Sequence, residues 1–151
     1  MQIVRLTAAH SATAGKLFAM MAEVLGDASL ALSEPYLQRL LRSDAFWAVA
    51  ALNGDEVVGG VTAHSLPMTR GEFSEIFVYD IAVAARCQRQ GIGRGLVQAL
   101  REYAAETGIR SVFVVADNAD GHALDFYRAL GGKPSSVTLF SFEEPYPKEE
   151  E

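Results

Sequence analysis

The sequence is poor in cysteine, in histidine, in positive charge and in long apolar runs. One cysteine in 151 residues, Cys87, builds no disulfide framework, which agrees with a reducing compartment. The three histidines, His10, His64 and His122, include no pair at metal-ligand spacing, so no metal site is expected. The longest apolar run, residues 45–52, falls far short of the roughly 18 residues that a membrane-spanning helix needs. It reads as a buried strand. The first seven residues, MQIVRLT, alternate polar and apolar side chains and offer neither the apolar stretch nor the cleavage site of a secretory signal. A cytoplasmic chain is expected, with no membrane partner.

Lysine and arginine number 13 against 19 aspartates and glutamates, for a formal net charge of -6. That balance disfavours nucleic acid and anionic membranes as partners and suits cationic ones. Part of it sits in the tail 143–151, and such runs are ordinarily a solvated terminus. The chain also lacks the Gly-Lys-Ser/Thr of a Walker P-loop, and its first strand–helix junction has no dinucleotide fingerprint. Internal repeats, linkers and low-complexity segments are absent. Half the residues are apolar, enough for the core of one domain over residues 1–142.

Residues 3–6 read as a short strand, and Leu17, Met20, Met21, Val24 and Leu25 share a helical face that Gly26 closes. Ser33 and Pro35 open a second helix with Leu37, Leu40 and Leu41 on one side. Residues 46–52 and 57–66 flank Asn53-Gly54-Asp55-Glu56 as a hairpin, with Asn-Gly supplying the positive φ of a primed turn. Residues 74–83, rich in Ile, Phe, Val and Tyr, form a central strand in which Glu75 and Asp80 are the two charges. Ile92, Leu96, Leu100 and Tyr103 mark a third helix, stopped by Gly108 before a strand over 111–116. A last helix over about 121–130 ends at Gly131-Gly132, and residues 137–142 alternate as a closing strand. The order β-α-α-β-β-β-α-β-α-β is an α/β fold: a mixed central sheet flanked by about four helices.

Between the fourth strand and the third helix lies Gln88-Arg89-Gln90-Gly91-Ile92-Gly93-Arg94-Gly95. Free N–H groups at a helix N-terminus favour anions, and glycines let phosphate oxygens approach the backbone. Arg89 and Arg94 add formal charge. A pair of glycines alone is as consistent with a turn that only packs a helix on a strand.

Gln88-x-x-Gly91-x-Gly93 after Ile81-x-Val83 resembles the Gln/Arg-x-x-Gly-x-Gly/Ala signature of the GNAT acetyltransferases, and the element order agrees over nearly the whole chain. The resemblance implies that the amides of Gln88, Arg89, Gln90, Gly91, Ile92, Gly93 and Arg94 hold the pyrophosphate of acetyl-CoA. It implies that Ile81, Ala82 and Val83 pair with the pantetheine arm and polarise the thioester carbonyl, and it adds Asn118 to the coenzyme contacts. A closer resemblance, to the type I aminoglycoside 3-N-acetyltransferases, rests on residues 74–83, 116–120, 40–46 and 140–142, and extends through Ala123 to Gly131. Gly121-His122 departs from the Asp-Pro usual there, and the N-terminal segment matches poorly.

An alkylammonium must lose a proton before it attacks a thioester, and Glu75 and Asp80 are the candidate bases. Glu75 occupies the position of the base in related enzymes. In a regular strand the two point to opposite faces, whereas a bulge near Asp80, common in this family, re-aims one of them. A strand-end salt bridge is the alternative role for Glu75, while Asp80, in the middle of an apolar strand, needs a partner that a cationic substrate supplies. Asp117 and Asp120 are candidates for amine binding or for helix capping, with Glu143 added from the tail. Tyr127 could protonate the departing thiolate or be a core tyrosine. Cys87 has no base near it in sequence. Phe73, Phe77 and Tyr79 read as core or cleft wall, and Trp47 as core.

The expected function is transfer of an acetyl group to an amine of an aminoglycoside, at its 3-amino group by the closer resemblance, which would confer resistance. A polyamine or a protein amine as acceptor, or a CoA-binding module without catalysis, are the competing readings. A homodimer through C-terminal strands is one assembly that the resemblance allows.

Overall fold

The computed structural model describes residues 1–27 and 31–145. By backbone contacts the chain divides into two compact units, Met1–Val115 and Ala116–Glu151.

The first unit is a five-stranded sheet in the order β1-β2-β3-β4-β5. Its strands are β1 (Gln2–Arg5), β2 (Phe46–Asn53), β3 (Glu56–Pro67), β4 (Ser74–Val83) and β5 (Val112–Val114). The first four are antiparallel neighbours, and β5 lies parallel to β4 after a crossover through helix α3 (Ile92–Glu106). Helices α1 (Ser11–Leu25) and α2 (Glu34–Arg42) join β1 to β2. The α2 start is built as the sequence predicts: Ser33 accepts a hydrogen bond from the Tyr36 amide at 3.3 Å, with proline in the first turn. Gly26 ends α1 in the left-handed conformation, where a Cβ is costly.

Each sheet face buries one cluster. Trp47, Val49, Val61, Ile76 and Val78 pack under Ile92, Leu96, Leu100 and Ala104 of α3. On the other face Ala48, Ala50 and Ala82 meet Ala14, Leu17 and Met21 of α1 and Leu37 of α2. A fully buried leucine such as Leu17, Leu96 or Leu100 contributes roughly 1.5–3 kcal/mol. The Gly59-Gly60 pair lets both helices close on β3. A Cβ on Gly59 would stand 3.1 Å from Ile92 Cγ2 on one face, and one on Gly60 would stand 2.2 Å from Leu17 Cδ1 on the other.

The hairpin turn differs by one residue from the expectation. Asn53 pairs with Glu56, so Gly54 and Asp55 are the central residues, and Gly54 alone has positive φ (63°). A left-handed angle at the first central position needs glycine there, and the pairing has slid to supply it.

In the second unit, α4 (Gly121–Ala129) ends at Gly131, whose φ is 89°, with the Gly132 amide reaching back to the Tyr127 carbonyl at 2.9 Å. The expected closing strand is not formed: residues 133–145 carry no regular structure. Val137, Leu139, Phe140 and Phe142 are 74–91% exposed, and no strand among the described residues pairs with them. Residues 146–151 of the acidic tail lie outside the described residues.

Candidate active site

The pairing register of β4 settles the question that strand alternation leaves open. Thr62 pairs with Asp80 and Ala63 with Val78, so Tyr79 is an extra residue and β4 bulges there. Before the bulge, Ile76 and Val78 face α3; after it, Ile81 and Val83 do, and Ala82 joins the α1 cluster. Glu75, Phe77, Asp80 and Ala82 therefore share the α1 face. Without the bulge Asp80 would point into the apolar α3 side. At about 3.3 Å per residue the two carboxylates stand roughly 13 Å apart along the strand, too far to serve one nitrogen directly.

Asp80 is half-buried, and that burial, with a smaller contribution from the nearby Asp27 carboxylate, raises its pKa above the ordinary aspartate value. Asp27 is a charge at this site that the sequence reading passes over. It follows the α1 cap, and only the packing of α1 on β4 brings it near.

The bulge also marks where the parallel pairing stops. β3 follows β4 along its whole length, but β5 pairs only Ile76, Phe77 and Val78. Over Asp80, Ile81, Ala82 and Val83 the β5-side edge of β4 has no strand partner among the described residues. Its backbone groups can accept an extended ligand arm as an added strand.

That open edge leads into the loop. Gln88 donates from its side-chain amide to the Val83 carbonyl at 3.0 Å, which ties the loop to the end of β4. Arg86 pairs with Glu56 at the surface, fastening the preceding turn to the β2–β3 hairpin. Arg89 (φ 64°) and Gly91 (φ 79°) are both left-handed, and Arg89 is the sole non-glycine residue with positive φ among the described residues. At Gly91 the angle is unstrained, whereas at Arg89 it is a costly conformation of the kind that clusters at ligand sites. Gly91 is the N-cap of α3 without side-chain capping, and the first helical bond runs from the Gly95 amide to the Gly91 carbonyl at 3.0 Å. The amides of Ile92, Gly93 and Arg94 precede that bond, at the positive end of the dipole. A Cβ on Gly91 would meet nothing within 4 Å, so the space above the loop is open. Exposed Gln90, Arg89 and Arg94 complete a site suited to a phosphate anion.

In the second unit, Asp120 caps α4 by accepting from the Ala123 amide at 3.1 Å, and Asp117 accepts from the Ala119 amide at 2.8 Å. These are the capping and turn roles that aspartate is suited to. Asn118 is exposed between them, Tyr127 is half-buried in α4 with its ring 5.1 Å from that of Phe126, and Glu143 is exposed. No group of three or more His, Cys, Asp or Glu among the described residues is arranged to hold a metal ion.

One feature of this face is not legible from spacing. Ring contacts run from Phe18 of α1 to Phe46, His64, Tyr79, Phe77 and Phe113, at centroid distances of 5.0–6.3 Å. The row crosses β2 to β5 on the face that carries Glu75 and Asp80. His64 attracts notice in the sequence only for lacking metal partners; its pairing with Phe46 and Phe77 is what places it here.

Comparison with known proteins agrees with this geometry. The model of the Acetyltransferase (GNAT) family matches residues 17–131. An aminoglycoside acetyltransferase from an uncultured soil metagenomic sample has a similar structure, with TM-score 0.90, 34% identity, and coverage of 95% of this chain and 98% of that one. A second such enzyme of the same kind of source, solved in complex with sisomicin, gives TM-score 0.87 at 30% identity over 95% and 96% of the two chains. The probable N-acetyltransferase camello of Xenopus laevis is 33% identical over 97 residues, 64% of this chain and 42% of that protein, so the chain matches less than half of that relative's length. The family model covers residues 17–131, well over half of the chain, and the chain belongs to the GNAT acetyltransferase family.

Proposed function

We propose that the protein transfers the acetyl group of acetyl-CoA to an amino group of an aminoglycoside, the 3-amino group by the likeness of residues 74–83 to the type I enzymes, and so confers resistance. The observation that carries this reading is Asp80, a half-buried carboxylate placed by the bulge at the point where β4 loses its β5 partner. The two soil enzymes named as aminoglycoside acetyltransferases, one of them bound to sisomicin, support the choice of acceptor.

Acetyl-CoA supplies the activated acetyl group. The backbone of residues 88–94 fits its pyrophosphate, since the amides of Ile92, Gly93 and Arg94 precede the first helical bond of α3 and the space over Gly91 is open. The unpartnered edge at Ile81, Ala82 and Val83 receives the extended arm and aims backbone donors at the carbonyl to be attacked. Asp80, beside that edge, takes the proton from the incoming ammonium; its raised pKa brings it closer to the operating pH, as a general base requires. Glu75, roughly 13 Å along the same face, holds a remote ammonium of the polycation. Tyr127 protonates the departing thiolate, Asn118 contacts the coenzyme, and Asp117, Asp120 and Glu143 add negative charge for the acceptor.

The test is thiol release from acetyl-CoA with a panel of amines, followed by NMR of the product. Acetylation of gentamicin or sisomicin at the 3-amino group supports the reading in full, and another ring position corrects only the regiochemistry. Turnover with peptide or polyamine acceptors alone would assign the acidic face to those amines instead. No turnover with any amine would leave a CoA-binding module.

A further inference from the structure

We propose that the aromatic row across β2–β5 is a stacking platform for the sugar-like rings of the acceptor, with Tyr79 and Phe113 as specificity-determining residues that favour a ring-bearing polyamine over a linear one of comparable charge. This rests on the reading that the Asp80 face is the acceptor site.

Three observations carry it. Tyr79 is 63% exposed and Phe113 39%, although each ring contacts its neighbour in the row: Tyr79 is edge-on to His64 (6.3 Å) and to Phe77 (5.8 Å), and Phe77 is stacked on Phe113 (5.0 Å, 11°). Rings held in place on one side and bare on the other are rigid platforms, whose stacking costs little entropy. Second, the row crosses β4 between Glu75 and Asp80, so a polycation that spans the two carboxylates must lie over Phe77 and Tyr79. Third, Tyr79 is the bulge residue itself. Tyr79 lies on the Phe77 face by ordinary alternation and has no partner residue on β3, and the same insertion turns Asp80 onto that face beside it, so base and ring stand next to each other.

A linear polyamine can satisfy both carboxylates while offering flexible methylenes, whose ordering over the rings offsets what contact yields. A ring-bearing polyamine presents flat C–H faces already in place, and flat faces are what an aromatic surface takes. The acidic ends thus select for charge, and the row selects for rings.

The test compares wild type, Tyr79→Ala, Tyr79→Phe and Phe113→Leu with gentamicin and with spermine, by steady-state kinetics and by calorimetric titration of each amine. Tyr79→Ala should raise the gentamicin KM and Kd about five- to tenfold, the range of one aromatic contact, and leave kcat within about twofold. Tyr79→Phe should behave as wild type, Phe113→Leu should weaken gentamicin about threefold, and spermine should respond to none of them. Thermal melting of each variant checks folding, and Phe113→Leu carries the test should Tyr79→Ala not fold.

Equal losses for gentamicin and spermine, or a change in kcat alone, would overturn the platform while leaving the acetyl-transfer reading intact. Wild-type protein that turns over no amine yet binds gentamicin in a Tyr79-dependent way would uphold the platform and sink the reaction. Absence of both binding and turnover would refute both.

Discussion

Replacing Asp80 with Asn removes one charge at nearly constant shape, and activity and stability should then move in opposite directions. If Asp80 takes the ammonium proton, kcat falls by about two to four orders of magnitude, or roughly 2.7–5.5 kcal/mol in the barrier. Stability follows from the raised pKa, whose first cause is burial and second the charge of Asp27. The folded state holds the Asp80 proton more tightly than the unfolded chain does. Between the unfolded pKa and the raised folded one, stability therefore declines as pH rises, and above that window the charged carboxylate remains a net cost. Asn carries no such cost, so the variant should be at least as stable as wild type at neutral pH, and its advantage should vanish below the ordinary aspartate range. Steady-state kinetics, with thermal unfolding from about pH 3 to 8, reads both effects. Wild-type kcat/KM falls toward acid with a midpoint above the ordinary aspartate value, and the Asn variant should lose that limb. Undiminished kcat/KM, or a loss of stability at neutral pH, would refute the reasoning.

Gly91→Val places a β-branched side chain at φ 79°, costing about 1–2 kcal/mol or more in backbone strain, so the loop should reshape and calorimetric titration should find acetyl-CoA binding lost. Gly54→Val meets similar strain in the hairpin turn, and should keep coenzyme affinity. Gly60→Ala sets a Cβ 2.2 Å from buried Leu17 Cδ1 and should destabilise the fold by about 1–3 kcal/mol, visible as a lower urea midpoint. Tyr127→Phe should lower kcat more than it weakens acetyl-CoA binding, as loss of a proton donor does; an unchanged kcat would return Tyr127 to a packing role.

The elements that local chemistry defines were legible in the sequence. Ser33 and Pro35 open α2, Gly26 and Gly131 close α1 and α4, and the period of Ile92, Leu96 and Leu100 fixes the buried side of α3. The glycine-bearing turn that leads into α3 was legible because glycine spacing and position after a strand are sequence properties. Its link to β4 through the Gln88 side chain needed coordinates. Alternation could not decide the faces of Glu75 and Asp80, because a bulge is a register property of two strands. It shows only in the pairing of Thr62 and Ala63 with Asp80 and Val78. The aromatic row was hidden for the same reason: Phe46, His64, Phe77 and Phe113 lie on four strands and meet only across them. Residues 137–142 show the opposite limit. Alternation alone predicts a strand, but a strand needs a neighbour to bond with, and these residues have none among the described residues.

The most direct test is a crystal structure of the protein with CoA and gentamicin bound together. The account predicts an amino nitrogen within about 3 Å of the Asp80 carboxylate, beside the open edge at Ile81–Val83, with a second ammonium at Glu75 and a sugar ring over Tyr79. An acceptor amine seated away from Asp80, with the carboxylate turned to solvent or to another protein group, would contradict it.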